Sequence, residues 1–219
     1  MSPRVGYTAA QVRAAEQPLL AAGEPLMRRA AAALAAELRE FAPHRVLVLV
    51  GAGDNGGDAL FAAAELAREG VIVELVATAS RHHIEAASAA LAAGARWVDA
   101  SEAADRAAAA DIVVDGILGT GTGPSPALRG PARDLVEALL PVLERPGRPR
   151  VVAVDIPSGI SPDDGSVPDP TVLPADLTVT FGAEKAGLLK EPGSRYAGRV
   201  VLVDLGLGPH LGAPVVSAE

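Results

Sequence analysis

The chain contains no cysteine in its 219 residues. That excludes disulfides, thiolate metal sites and a cysteine nucleophile, and fits a cytoplasmic setting. Aromatic residues make up only 3%, so Ala, Val and Leu must fill the interior. Basic residues are in deficit: 19 Lys and Arg against 27 Asp and Glu leave a formal net charge of −8. This balance gives no electrostatic footprint for nucleic acid, and any phosphate must be held by local amides rather than by the global field. No apolar run reaches the roughly 18 residues of a membrane span. The first residues, Met1 to Gly6, lack the basic region and apolar core of a secretory signal.

Hydrophobic residues at 49% with 21% charged residues describe a globular chain, and a single domain over 1–219 is the economical reading. Its organising stretch is Val46-Leu-Val-Leu-Val-Gly-Ala-Gly-Asp-Asn-Gly-Gly-Asp58, followed by an alanine-rich helical pattern to Gly70. An apolar run, a glycine cluster and a helical pattern read as a buried parallel strand, a tight loop and a helix. The glycines do not space as G-x-G-x-x-G, and no P-loop lysine follows. The loop instead carries Asp54, Asn55 and Asp58, so it suits phosphate at its amides and a cation or hydroxyls at its side chains.

Upstream, Thr8 and Gln11 have capping-box spacing, and a second helix runs from about Leu26 to Leu38, giving an N-terminal helical pair. Downstream, strands are expected at 71–76, 96–98, 111–115, 150–155, 177–181 and 199–203. Helices are expected at 84–91, 101–110 with Ser101 as cap, and 132–140. The proline-rich 141–149 and 157–174 read as ordered loops. Strands alternating with helices imply right-handed βαβ units, whose strand C-termini share one edge. The loops at 51–58, 115–125 and 155–159 should therefore converge at a switch point in strand order.

Asp115 and Asp155 each end an apolar strand, where an unpaired carboxylate is costly. Either could cap its own loop, just as Asn55 and Ser158 could serve turns and Lys185 could be solvated at the start of a helix. His82 and His83 are expected exposed on different faces of a helix, and His44 and His210 outside the site.

These motifs, in this order, resemble the NAD(P)H-hydrate epimerase family, the YjeF N-terminal type. The carriers are Asp54-Asn-Gly-Gly-Asp58, Asp115-Gly-Ile-Leu-Gly-Thr-Gly121, Asp155-Ile-Pro-Ser-Gly159 and Thr178-Val-Thr-Phe-Gly-Ala-Glu-Lys185, with Leu26-Met27 opening the N-terminal helix motif. The resemblance implies an α/β fold, a three-layer α/β/α sandwich with a Rossmann-like, mostly parallel sheet. It implies interconversion of the R and S forms of hydrated NADH and NADPH (NADHX and NADPHX). By position, Asn55, Asp115 and Ser158 fall where the family holds a potassium ion. Asp54, Asn55, Gly56, Gly57, Asp58, Gly119, Thr120, Gly121, Thr122, Gly123, Pro124, Ser125 and Asp155 fall where it contacts the substrate.

The hydrate is a hemiaminal: its ring nitrogen can expel the hydroxyl as water and leave an iminium that water attacks from either face. Asp155 is the expected proton shuttle, with Lys185 as a tuning group. The resemblance leaves room for a homodimer through the N-terminal helix and for an ADP- or ATP-dependent dehydratase domain or partner. A non-catalytic nucleotide-binding or scaffold module of the same fold is the alternative. The sequence departs from the family at Asp54, Ala59, Arg28 and Ala31.

Overall fold

The computed structural model describes residues 3–121 and 125–218. Its elements run β1 (Arg4–Gly6), α1 (Ala9–Ala21), α2 (Leu26–Arg39), β2 (Arg45–Val50), α3 (Asp54–Arg68), β3 (Ile72–Ala77), α4 (Ile84–Ala92) and β4 (Arg96–Trp97). There follow α5 (Ala103–Ala108), β5 (Ile112–Gly116), α6 (Gly130–Leu143), β6 (Arg150–Val154), β7 (Leu177–Phe181), β8 (Arg199–Val203) and β9 (Val216–Ala218). The main sheet has seven strands in the order β4-β3-β2-β5-β6-β7-β8, all parallel. After β2 the chain first builds outward through β3 and β4, then returns to lay β5 on the other side of β2. The switch point therefore lies between β2 and β5.

Period-2 alternation assigns the two faces. Val46, Val48, Val50, Ile112 and Val114 join the core under α2, α3 and α4, whereas Leu47, Leu49, Val113 and Val151 pack beneath α5 and α6. This is the three-layer α/β/α sandwich expected from the sequence. Arg28 of α2 lies 3.7 Å over the Phe61 ring of α3 and reaches Glu85 of α4 at 2.5 Å, so the departure at this position ties three helices together.

Differences from the expected elements are local. Ser101 caps nothing: the segment opens as a 3-10 turn over Ala100–Glu102 and α5 ends at Ala108. Helix α6 carries Pro141 inside it and runs on to Leu143. His82 and His83 precede α4 and are half-buried. The His83 ring accepts the Ala86 amide as an N-cap, and His82 packs on Trp97 at 5.0 Å.

Two strands escaped the sequence pattern. β1 and β9 pair antiparallel, joining the two ends of the described chain. Beside them Tyr7 bridges Lys185, through Tyr7 N–H to Glu184 O at 2.9 Å and Ala186 N–H to Tyr7 O at 2.8 Å. Arg4 ion-pairs with Glu184 in the same place.

One charge in the sheet stands out. Glu74 of β3 is fully buried and meets Arg96 at 2.6 Å and both Arg45 and Arg106 at 3.2 Å. Removing a carboxylate that three guanidiniums enclose leaves those charges crowded. Because the arginines keep part of their hydration, Glu74→Ala is expected to cost about 2–3 kcal/mol of unfolding free energy in a urea titration.

Candidate active site

The chain must leave β2 tightly, because the next strand's loop presses on it. A Cβ at Gly51 would lie 1.8 Å from Ile117 O, and one at Gly56 would lie 2.2 Å from Gly51 O. Glycine at these two positions lets the loops after β2 and β5 touch and lets α3 start beneath them. The methyl of Ala59 fits because it packs on Gly116, where a Cβ would come within 2.7 Å of it.

Side chains then stitch three loops together. Asn55 Nδ2 donates to Leu118 O at 3.0 Å and to Val154 O at 2.5 Å. Ser158 Oγ donates to Asp115 Oδ1 at 2.6 Å and accepts from Leu118 N–H at 2.9 Å. Asp115 Oδ2 accepts Ser158 N–H at 2.8 Å. The sequence expectation of convergence therefore holds for all three loops. Asp115 is fully buried, and this raises its carboxyl pKa above the usual range while the Ser158 and Ile117 donors pull it back. No cationic side chain pairs with it among the described residues.

Asp155 follows β6 with φ of +68°, a left-handed conformation that aspartate tolerates better than most residues. Its Oδ1 accepts from Thr180 Oγ1 and Phe181 N–H, both at 3.1 Å, and from Lys185, with which it forms an ion pair. Lys185 Nζ also donates to Phe181 O at 2.8 Å and Thr180 Oγ1 at 3.2 Å. The lysine is 1% exposed, so the solvated reading of this residue is excluded.

A cavity of about 360 Å³ opens on this pair. Asp54, Asn55, Asp58, Thr120, Gly121, Asp155 and Lys185 line it together, with Phe181 and Met27 as apolar walls. Gly57 packs against Met27 and His83 behind the wall, and Gly119 against Asn55. Asp115 and Ser158 lie below the floor. Ser125 lines a neighbouring cavity of about 380 Å³ beside Gly51 and Arg129. Thr122, Gly123 and Pro124 lie outside the described residues.

Sequence reasoning missed Arg13 and Glu16, which α1 brings to the cavity; Arg13 also donates to Thr120 O at 2.7 Å. Their spacing of three residues placed them on one helix face, but nothing in it said what that face meets. Thr180 was missed as the residue holding both partners of the ion pair.

Asp58 differs from its neighbours. It is 7% exposed and its Oδ1 is buried without a hydrogen-bond partner among the described residues. Burial, with Asp155, Asp54 and Glu16 nearby, pushes its carboxyl well above the ordinary carboxylate range. Glu16 is raised too, mainly by burial.

The chain matches the family described as YjeF-related protein N-terminus over residues 23–187. It is 59% identical to a protein of Clavibacter michiganensis named NAD(P)H-hydrate epimerase, over 97% of this chain and 95% of that one. A protein of the same name from Microbacterium testaceum is 58% identical, over 94% and 80% of the two chains. A bifunctional NAD(P)H-hydrate repair enzyme of Mycobacterium tuberculosis is 44% identical; the alignment covers 92% of this chain and 41% of that protein. The crystal structure of yeast ynu0 superposes with a TM-score of 0.75 at 18% identity, over 98% and 96% of the two chains, which shows the shared fold.

A carboxyl with a raised folded-state pKa holds its proton more tightly folded than unfolded. The resulting stability is lost as pH rises from the unfolded value, about 3.9 for Asp, through the folded one. Asp58→Asn should therefore melt close to the parent near pH 4 and at a progressively higher temperature than the parent as pH rises to 8. Thermal melts followed by circular dichroism check this.

Proposed function

Since the chain belongs to the family of YjeF-related N-terminal domains, we propose that it is an NAD(P)H-hydrate epimerase, interconverting the R and S forms of hydrated NADH or NADPH. The observation that carries the reading is the buried Asp155–Lys185 ion pair at the wall of the cavity beyond the strand C-termini. The reaction needs a proton carrier beside the hemiaminal carbon and negative charge near the iminium. Asp155 supplies both, because Thr180, Phe181 N–H and Lys185 fix its Oδ1 and the left-handed backbone turns it out of the sheet edge.

Phosphate has a place at the start of α3. The first backbone bond there runs from Gly57 N–H to Gly53 O at 3.2 Å. The amides of Asp54, Asn55 and Gly56 therefore face out of the helix end, where the helix dipole favours an anion. Asp54 is exposed at the cavity mouth, positioned for ribose hydroxyls. The hydrated ring then occupies the cavity, with Phe181 and Met27 against its apolar edges.

The residues also fit a potassium ion. One buried carboxylate, Asp115, lies among neutral oxygens of Asn55, Ser158 and the Leu118 and Val154 carbonyls, with no cationic side chain beside it among the described residues. A single negative charge with neutral oxygens suits a hard monovalent ion. Held by Asn55, Asp115 and Ser158, the ion would neutralise a charge that burial opposes and brace the three loops.

Purified protein given a single NADHX epimer should accelerate equilibration of the R/S ratio, read by chromatography against the uncatalysed rate, and Asp155→Ala should lose about 10²–10⁴-fold of that acceleration. Near-normal epimerisation by Asp155→Ala would sink the shuttle. Potassium chloride should raise the melting temperature relative to tetramethylammonium chloride at equal ionic strength. Asp115→Asn should abolish that difference, and equal melting of the parent protein in both salts would remove the cation from the site.

A further inference from the structure

We propose that Asp58 is a second proton carrier of this site: its carboxyl gives a proton to the departing hydroxyl of the hydrate, and Asp155 takes one from the water that returns. The proposal rests on the epimerase reading. Both carboxyls line the same cavity but enter from different elements, Asp58 from α3 and Asp155 from the end of β6. Their surroundings are opposite. Three donors converge on Asp155 Oδ1, one of them the Lys185 ammonium. Asp58 Oδ1 is buried with no hydrogen-bond partner among the described residues, the arrangement of a group kept for something that enters the cavity.

The chemistry requires two positions. Epimerisation removes water from one face of a ring carbon and returns it to the other, and a carboxyl fixed on a helix meets only one of those faces. In one direction the Asp58 proton passes to the hydroxyl as the C–O bond breaks, and the ring nitrogen lone pair forms the C=N bond of the iminium. Water then bonds to the same carbon from the other face, its proton passes to Asp155, and the C=N electrons return to nitrogen. The enzyme ends with Asp58 ionised and Asp155 protonated, the form that runs the reverse direction; solvent exchange of one proton resets it. Facing Asp58 are Asp54 on its own helix, Glu16 from α1, Asp155, and Lys185 from the segment after β7. The preponderance of carboxylates, with burial, favours the protonated form that a donor needs.

With the parent protein active, its kcat/KM should fall at alkaline pH, and Asp58→Asn should lose that fall along with about 10²–10³-fold in kcat, with KM within a few-fold. Asp58→Ala should regain rate in added formate, which a residue of purely structural or binding role would not allow. Unchanged kcat in Asp58→Asn, a loss confined to KM, or no response of Asp58→Ala to formate would overturn the proposal. An inactive parent protein would instead overturn the epimerase reading.

Discussion

Two carboxylates sunk into the C-terminal edge of a parallel sheet set the terms for everything around them. Asp115 and Asp155 stand where β5 and β6 end, the first fully buried and the second nearly so, and a buried charge left unanswered costs several kcal/mol. The fold answers each differently. Asp115 receives a hydroxyl and a backbone amide from Ser158 of the neighbouring loop and the Ile117 amide from its own, which draws 158 onto 115 and fixes the floor. Asp155 receives a cation, which draws the segment after β7 across the edge and makes a wall. The loop positions follow from solvating these two groups, and the cavity is the space left between the floor, the wall and α3.

Glycine placement belongs to the same problem. Loops can converge on a carboxylate only if their backbones approach within van der Waals distance, and Gly51 against Ile117 O is where the first loop makes that approach to the second. The odd glycine spacing of the first loop thus reflects contact with the β5 loop as well as room for a ligand. Asp54 stands exposed at the mouth of the cavity, outside these loop contacts.

Much of this was legible in the sequence because it depends on near neighbours. Apolar runs ending in aspartate gave the strands and the edge they share, and the wholly apolar Val46 to Val50 marked a strand buried on both faces. The three loops could be placed together because parallel βαβ topology leaves them no other edge. What stayed hidden depends on distant partners. Three-residue strands such as β1 and β9 have no readable period, and their pairing spans the whole chain. The burial of Lys185 could not be read from Glu184-Lys-Ala-Gly187, since the pattern of a solvated turn and that of an enclosed cation are the same until Tyr7 and Asp155 are in place. Arg13 and Glu16 were invisible as site residues for a related reason: their helix carries a face whose neighbour is decided elsewhere.

The β1–β9 pair has a consequence for when the site comes into being. Tyr7 holds the backbone on either side of Lys185, and β1, which leads into Tyr7, is itself held by β9. A growing chain emerges from its N-terminus onward, so β9, which braces the lysine's support, is made after both Asp155 and Lys185. The brace behind the cationic half of the ion pair is therefore complete only once a strand made after both partners has reached back to β1.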